Sequence, residues 1–315
     1  MSDAALPLPT PEDAPHGAPA APRWQADAAL VVAAFFFGTT FIVVQDAVER
    51  IDPLPFIAVR FLIGAAVLGA AGRRRPRAPG ELVHGVVAGL LLCAAYVLQT
   101  VGLQYTTATT SAFLTYLLVV FVPIITFALT RHRPHPLTVV GIAVAVGGLV
   151  LLTGGAGVGF GAGEVLTLGC AVGFAAHIVY LGEVAPRHDP VRLTAVQLAT
   201  VGAACLVPGA AQGGVVVDRV ALGAAAFTGV FATAVAFLAM VWAQRTVSPS
   251  RAAIILLLEP VFAALLSALA GDPITAATVA GGGLILVAVL ITEVAVPARA
   301  ARPERPGRVA GAVSD

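Results

Sequence analysis

The sequence predicts an all-α integral membrane protein whose ten transmembrane helices form a 5+5 inverted repeat, with both termini in the cytoplasm. Three observations lead to this prediction: the composition, a series of long apolar segments and an internal repeat. Of the 315 residues, 58% are hydrophobic and only 11% are charged, and the mean hydropathy is +0.94. Soluble domains contain about 45–50% apolar and about 25% charged residues. The composition therefore excludes a soluble enzyme, a nucleic-acid-binding protein and a disordered scaffold.

Long apolar segments follow one another through most of the chain. Each has about 18–24 residues, which is enough for a helix to cross a hydrocarbon core about 30 Å thick. Lipid admits only helices and closed barrels, and these continuous runs lack the alternation of barrel strands. The ends, residues 1–26 and 297–315, are predicted to be disordered tails, the first rich in Pro and Ala and the second in Arg and Pro. The ten predicted helices cover residues 27–48, 55–72, 81–103, 107–128, 136–153, 161–184, 190–209, 218–242, 247–270 and 274–296.

The placement of arginine predicts the orientation of these helices. All 18 basic residues are arginine, and basic residues collect on the cytoplasmic side of membrane proteins. With the N-terminus in the cytoplasm, only Arg50 and Arg219 fall in connections on the other side, and Arg60 falls inside a predicted helix. The heavy use of Ala, Gly, Val and Pro is typical of a GC-rich bacterial genome. We therefore expect a multi-pass protein of the bacterial cytoplasmic (inner) membrane.

The chain also repeats itself. The stretches QDAVERIDP (45–53) and GEVAPRHDP (182–190) share an acid, an arginine and an Asp-Pro pair at the same spacing. The same offset carries Pro123 onto Pro260. A duplicated unit of five helices must enter the membrane in opposite orientations, because five is an odd number. The sequence thus predicts two repeats, at 27–155 and 161–296, in the arrangement typical of secondary transporters.

Several stretches resemble a known family. They are FFFGTTFIV (35–43), the residues Phe56 to Arg60, GLQYTTATTSAFLTYLLVVFVP (102–123), SPSRAAIILLLEPVFAALLSALAGDPIT (248–275) and GGGLILVAV (281–289). In their order, spacing and duplication they resemble the EamA-like ten-helix family of the drug/metabolite transporter superfamily. The resemblance implies a carrier that exports amino acids, other small metabolites or drugs. It is also compatible with metabolite uptake.

Glu259 and Arg60 are the first candidates for a substrate or coupling site. Counted from Val247 at about 1.5 Å per residue, Glu259 lies about 18 Å into the membrane core, where a charge is costly and typically functional. It is interpreted either as a proton- or substrate-responsive carboxylate or as a packing residue. Arg60 is interpreted as an anchor for a substrate carboxylate, as a releasable ion-pair partner of Glu259, or as a side chain that reaches the outer headgroups.

Four further candidates lie in other predicted helices. His177 has an ordinary pKa near 6.5 that suits proton coupling, or it is a hydrogen-bonded residue between helices. Tyr96, Gln99 and Tyr116 lie in the third and fourth helices, which line the cavity in the family that the chain resembles.

The repeated charge pairs predict two gates, and two prolines predict hinges. Asp46 with Arg50 and Glu183 with Arg187 have the spacing of helix-end ion pairs and would lie at opposite membrane faces. They are predicted to be outer and inner gates, one closed while the other opens. The hinge candidates are Pro123 and Pro260, which lack a backbone N–H.

Other functions remain as alternatives. An intramembrane enzyme would need a nucleophile–base pair or two facing aspartates, and the sequence has no such element and no His/Cys/Glu spacing for a metal. A channel is a further alternative. We expect no catalytic residue, no cofactor and no nucleic-acid partner. The expected partners are a small-molecule substrate and the lipid bilayer, and the sequence does not predict an oligomeric state or the direction of transport.

Overall fold

The computed structural model describes residues 22–48, 52–102, 104–106, 108–131, 133–152, 161–211, 219–269 and 275–295, and their regular structure is entirely helical. The first half contains α1 (Arg23–Val48), α2 (Pro53–Gly72), α3 (Glu81–Gly102), α4 (Ala108–Tyr116), α5 (Leu118–Thr130) and α6 (Pro136–Leu152). The second half contains α7 (Ala162–Val184), a 3-10 turn (Ala185–Arg187), α8 (Pro190–Ala211), α9 (Arg219–Thr228), a π-helical segment (Gly229–Val235), α10 (Ala236–Ala243), α11 (Pro249–Leu256), α12 (Leu258–Leu269) and α13 (Ala276–Ala295).

Length and hydropathy make many of these helices suitable to cross a membrane. Among the described residues, seven helical segments qualify, and α6 and α13 are shorter apolar helices. The all-helical membrane class is therefore confirmed. The count of ten spans and their orientation stay predictions. The seven segments are Pro53–Gly72, Glu81–Gly102, Thr110–Thr130, Ala162–Arg187, Pro190–Ala210, Arg219–Ala243 and Pro249–Leu266.

Two of the predicted helices are each divided in two. The fourth predicted helix breaks at Leu117, between α4 and α5, and the ninth breaks at Leu257, between α11 and α12. Leu117 has φ −61° and ψ −6°, and Leu257 has φ −63° and ψ −6°. Each half of the chain thus contains one interruption of similar backbone geometry, and the two lie at positions that differ by three residues in the register of the repeat.

Glycines allow the central helices to approach closely. A Cβ added at Gly85 would lie 2.5 Å from Cγ1 of Val196, and one at Gly89 would lie 2.5 Å from Cβ of Thr200. From the first contact to the second the residue number increases by four on both α3 and α8, so the two helices run in the same direction. Between α3 and α7 the order reverses, because Gly102 meets Thr167 whereas Ala95 meets Gly173. Glycines at these positions therefore allow the helices to pack closely.

Candidate functional site

A cavity of about 640 Å³ lies between the two halves of the chain. It reaches one end of the helix bundle at Asp52 and Gln104, which are exposed. We call this end of the bundle, where α2 begins and α3 ends, the open end. The opposite end, where α3 and α8 begin, is called the closed end. The volume suits a small molecule. The polar and aromatic lining side chains include Phe37, Thr40, Arg60, Tyr96, Gln99, Thr115, Tyr116, Phe174, His177, Phe237 and Glu259.

The cavity brings together all six residues proposed from the sequence as substrate or coupling candidates. Arg60 comes from α2, Tyr96 and Gln99 from α3, Tyr116 from α4, His177 from α7 and Glu259 from α12. Residues far apart in the chain therefore share one site, although their roles stay predictions.

Arg60 is buried in the cavity wall, with 5% of its surface exposed. Its Nε donates a hydrogen bond of 2.7 Å to Oγ1 of Thr233, in the π-helical segment. Its guanidinium carbon lies 6.0 Å from the ring centroid of Tyr96, within the range of a cation–π contact. Because the side chain is buried and held by these contacts, the alternative in which it reaches the outer headgroups is wrong.

The close approach of α2 to the π-helical segment makes this contact possible. A Cβ added at Gly229 would lie 2.8 Å from the backbone oxygen of Arg60. Thr233 has no exposed surface. The sequence analysis did not select Thr233, because a π-helical segment has no hydrophobic periodicity that can be recognised in a sequence.

Glu259 is the second residue of α12 and lies in its first turn. A Cβ added at Gly38 of α1 would lie 2.8 Å from the backbone oxygen of Glu259. Because Gly38 has no side chain, α1 can lie close to the backbone of Glu259.

Among the described residues, Arg60, Tyr96 and Tyr116 lie within electrostatic range of the Glu259 carboxylate. The releasable ion pair considered for Arg60 and Glu259 is not formed in this conformation, in which Nε of Arg60 donates to Thr233. The buried hydroxyl of Tyr116 makes no hydrogen bond of standard geometry within the described residues. The hydroxyl nevertheless lies close enough to the Glu259 carboxylate to interact with it. The site thus holds a cation, a carboxylate and a neighbouring hydroxyl around one open volume.

His177 and Gln99 are each tied to a neighbouring helix. Nε2 of His177 lies 2.8 Å from Oε1 of Gln197, so both the cavity position and the interhelical hydrogen bond considered for this residue are present. Nε2 of Gln99 donates to Oγ1 of Thr115 over 3.2 Å. These bonds fix the orientation of both side chains in the wall.

Aromatic rings form the remaining wall beside Arg60. The ring of Tyr96 contacts Phe61 edge-on at 5.0 Å and Phe174 at 5.2 Å. Phe237 lies between Phe61, at 6.1 Å, and the ring of His177, at 6.2 Å. The wall next to Arg60 is therefore apolar and consists of aromatic rings, whose faces carry partial negative charge and whose edges carry partial positive charge.

The two hinge candidates occupy different positions relative to the helix breaks. Pro123 lies inside α5, where it removes the hydrogen bond to the carbonyl of Val119. Pro260 is the third residue of α12, where the backbone N–H would have no intrahelical acceptor in any case. In a continuous helix this N–H would bond the carbonyl of Leu256, so the missing donor of Pro260 falls beside the interruption at Leu257, and its role as a hinge stays a prediction.

The gate candidates do not form the expected pair in the part of the chain that the structure describes. Glu183 and Arg187 are both exposed and no ion pair joins them. The physical reason is that α7 ends at Val184, and the chain continues in a 3-10 turn that breaks the i,i+4 geometry. The side chain of Asp46 and the whole of Arg50 lie outside the described residues.

Among the described residues, three other ion pairs connect the two halves, and all of them lie near the closed end. Arg251 binds Asp27 through Nε at 2.9 Å and Nη2 at 2.7 Å. The Nε of Arg192 lies 2.6 Å from Oε1 of Glu81, and Nη1 of Arg75 lies 2.7 Å from Oδ2 of Asp189. The sequence analysis missed these pairs, because no spacing rule connects partners more than 100 residues apart.

An all-helical chain with several membrane-spanning helices and a buried, charged cavity is a multi-pass membrane protein with a site for a small solute. The chain belongs to the EamA-like transporter family, which it matches at residues 24–154 and 161–294. It is therefore a membrane transporter, a class of protein distinct from enzymes.

Two relatives have names that agree with this family, and a solved structure shares the fold. Two proteins of Archaeoglobus fulgidus, both named uncharacterized transporter, are similar to the chain. One is 32% identical over 287 residues, covering 89% of each chain. The other is 26% identical over 271 residues, covering 83% of this chain and 96% of the relative. A crystal structure at 20% identity has a TM-score of 0.75 and covers 87% of this chain and 98% of that chain, which shows a shared fold.

Proposed function

We propose that the protein is a secondary transporter that exports a small metabolite or drug across the bacterial cytoplasmic membrane by alternating access. The observation that carries this proposal is the cavity between the halves, which is exposed at one end and blocked at the other by ion pairs. A carrier needs a central binding site that is accessible from only one side of the membrane at a time. The described conformation has this property, with the cavity facing the side predicted to be outside the cell.

The relative directions of the helices support an inverted repeat. In a 5+5 arrangement with alternating spans, α3 and α8 run in the same direction, and α2 and α8 run in opposite directions. Contacts from Gly85 to Val196 and from Gly89 to Thr200 fit the first relation. Contacts from Leu62 to Gly202 and from Pro55 to Gly209 fit the second. Two halves of mirrored topology can exchange conformations, which is the basis of alternating access.

Glu259 and Arg60 are proposed to bind the solute and to respond to it. A buried carboxylate near a buried guanidinium is expensive in a membrane unless it has a function, and both groups face the open volume. The Glu259 carboxylate is the proposed coupling group. It binds either a proton or a hydrogen-bond donor of the solute, and releases one when it binds the other. The Arg60 guanidinium is the proposed anchor for an anionic group, with the rings of Tyr96 and Phe174 as the apolar wall.

A comparison of culture media tests the proposed function. Metabolites and added dyes are measured outside cells that lack the protein, express it, or express Glu259→Gln. We expect one or a few solutes to accumulate outside with the wild type and to fall toward the background with Glu259→Gln. Glu164→Gln is the matched control, because Glu164 is a carboxylate outside the cavity lining.

The other outcomes of this experiment each have a definite meaning. A solute that disappears from the medium only with the wild type would replace export by uptake. Equal accumulation with Glu259→Gln and the wild type would make the carboxylate structural and overturn its coupling role.

A further inference from the structure

A compact group of titratable side chains lies at the closed end, outside the cavity. Nδ1 of His84 on α3 lies 2.6 Å from Nε2 of His188, in the connection before α8. The ring centroids are 4.8 Å apart. His84 belongs to the first half of the chain and His188 to the second, so this hydrogen bond joins the same two halves as the ion pairs.

The surroundings of the histidine pair are charged and closely packed. His188 is buried with 6% of its surface exposed, and Glu81, one turn before His84, is buried with 2%. Within the described residues, Nδ1 of His188 and Oε2 of Glu81 have no hydrogen-bond partner. The groups that face the pair are Glu81 from α3, Tyr180 from α7, Arg187 from the 3-10 turn, Asp189 and Arg192 at the start of α8, and Arg75 from the connection between α2 and α3.

We propose that His84 and His188, together with the Glu81–Arg192 and Arg75–Asp189 ion pairs, form a latch that holds the closed end shut, and that acidification on this side opens it. This inference rests on the proposed alternating-access function and adds a conformational control to it. The latch fastens the start of α3 to the start of α8, the two helices whose glycine contacts bring the halves into close packing.

The chemistry of two imidazole rings gives the latch its dependence on protons. A neutral ring has one N–H donor and one acceptor nitrogen, and a protonated ring has two donors. The contact between Nδ1 of His84 and Nε2 of His188 therefore forms when both rings are neutral or when one is charged. When both rings are charged, no acceptor is left and two positive charges lie side by side.

The direction of the pH effect follows from the environment of His188. Burial lowers the pKa of His188 below its ordinary value, and the nearby His84 and Arg187 lower it further, against the opposing effect of Glu81. In an open state the ring would be hydrated and its pKa would return toward about 6.5. The open state therefore binds the proton more tightly, so the closed state is favoured above about pH 6.5 and loses its advantage as the pH falls through that value.

Distance measurements between two spin labels test the latch in the full-length protein in lipid nanodiscs. Cys93, Cys170 and Cys205 are replaced by alanine, and labels are attached at Leu82→Cys and Pro186→Cys, which are exposed positions on either side of the latch. Double electron–electron resonance is recorded at about pH 7.5 and about pH 5.5, on either side of the ordinary histidine pKa. We expect a longer distance to appear on acidification, with an open-to-closed ratio that rises up to about tenfold for each unit of pKa difference.

Three variants distinguish the latch from a general effect of acid. Glutamine retains hydrogen-bonding groups but takes up no proton, so His188→Gln should keep the distance the same at both pH values. In His84→Gln burial still lowers the pKa of His188, so this variant should respond less than the labelled parent but should not lose the response. His135→Gln removes an exposed histidine elsewhere and should respond like the labelled parent. No change in the parent, or a change in His188→Gln as large as in the parent, would overturn the proposal.

The failure of the latch and the failure of the proposed function give different results. If the labels move apart on acidification but the medium comparison finds no transported solute, the latch stands and the transport proposal fails. If a solute is transported and the distance does not respond to pH, the latch fails and the transport proposal stands.

Discussion

Arg251, at the start of α11, holds the carboxylate of Asp27 on α1 with two parallel hydrogen bonds of 2.9 and 2.7 Å. The partners lie 224 residues apart and in different halves of the chain. Both are largely shielded, with 9% and 18% of their side-chain surfaces exposed. Two-pronged bonds between arginine and a carboxylate combine strength with a fixed geometry, so this pair positions α1 against α11 at the closed end.

The Asp27–Arg251 pair predicts a stability loss that a second substitution relieves. Asp27→Asn removes the carboxylate charge that accepts both hydrogen bonds from Arg251, and breaking a buried pair costs about 3–5 kcal/mol, an upper bound for this partly shielded site. We expect the thermal midpoint of the purified protein to fall in Asp27→Asn. It should recover part of the loss in Asp27→Asn with Arg251→Gln, because the Arg251 charge is then removed as well. Equal midpoints for Asp27→Asn and the wild type would contradict a structural role for the pair.

The close contact between Gly38 and α12 leads to a second prediction, which concerns transport through the candidate site. An alanine here would place its Cβ 2.8 Å from the backbone oxygen of Glu259 and 3.0 Å from Cβ of Phe262. Because backbone atoms cannot turn away as a side chain can, α1 and α12 must separate, at a cost of about 1–3 kcal/mol for overpacking. Transport by Gly38→Ala, measured per folded protein, should fall severalfold.

Gly69→Ala is the matched control for this prediction. A Cβ at Gly69 would meet nothing within 4 Å, so transport should be unchanged by that substitution. A Gly38→Ala protein with normal transport would show that the spacing of α1 and α12 does not matter to the site.

The sequence predicted the members of the candidate site better than the contacts between them. Intramembrane Glu259, Arg60 and His177 were recognisable because a charged or titratable group is rare and costly in a membrane. Tyr96, Gln99 and Tyr116 were selected through the resembled family, in which the third and fourth helices line the cavity. The convergence of all six residues on one cavity is seen only in the structure.

The contacts were not predictable because they depend on details of the backbone. Arg60 binds Thr233 and not Glu259, since the π-helical segment presents a hydroxyl next to it. Glu183 and Arg187 have the spacing of a helical pair, but α7 ends one residue after Glu183. The ion pairs that do join the halves connect distant residues, and a single sequence contains no signal for such pairings.

Thr233 predicts a test of how Arg60 is held. Thr233→Val keeps the shape of the side chain but removes the acceptor for Nε of Arg60, and a hydrogen bond to a charged group contributes about 1.5–3 kcal/mol. With the solute identified from the medium comparison, we expect the KM of transport to rise by about one to two orders of magnitude. Thr233→Ser restores a hydroxyl and should restore most of the affinity. If valine and serine give the same KM, the hydrogen bond does not orient Arg60 for binding.

The cysteines predict a direct chemical test of the packing between α3 and α8. The Sγ atoms of Cys93 and Cys205 lie 3.7 Å apart, and both thiols are free. Two thiols form one disulfide with loss of two protons and two electrons, which oxygen accepts when copper–phenanthroline is the catalyst. Because the sulfurs are already in contact, we expect the number of free thiols in the denatured protein to fall from three to one. Cys205→Ala should keep both remaining thiols, since Cys170 lies against Thr115 and away from this pair. Three free thiols after complete exposure to the oxidant would show that α3 and α8 do not pack in the register described, and the parallel direction of these helices would lose its main support.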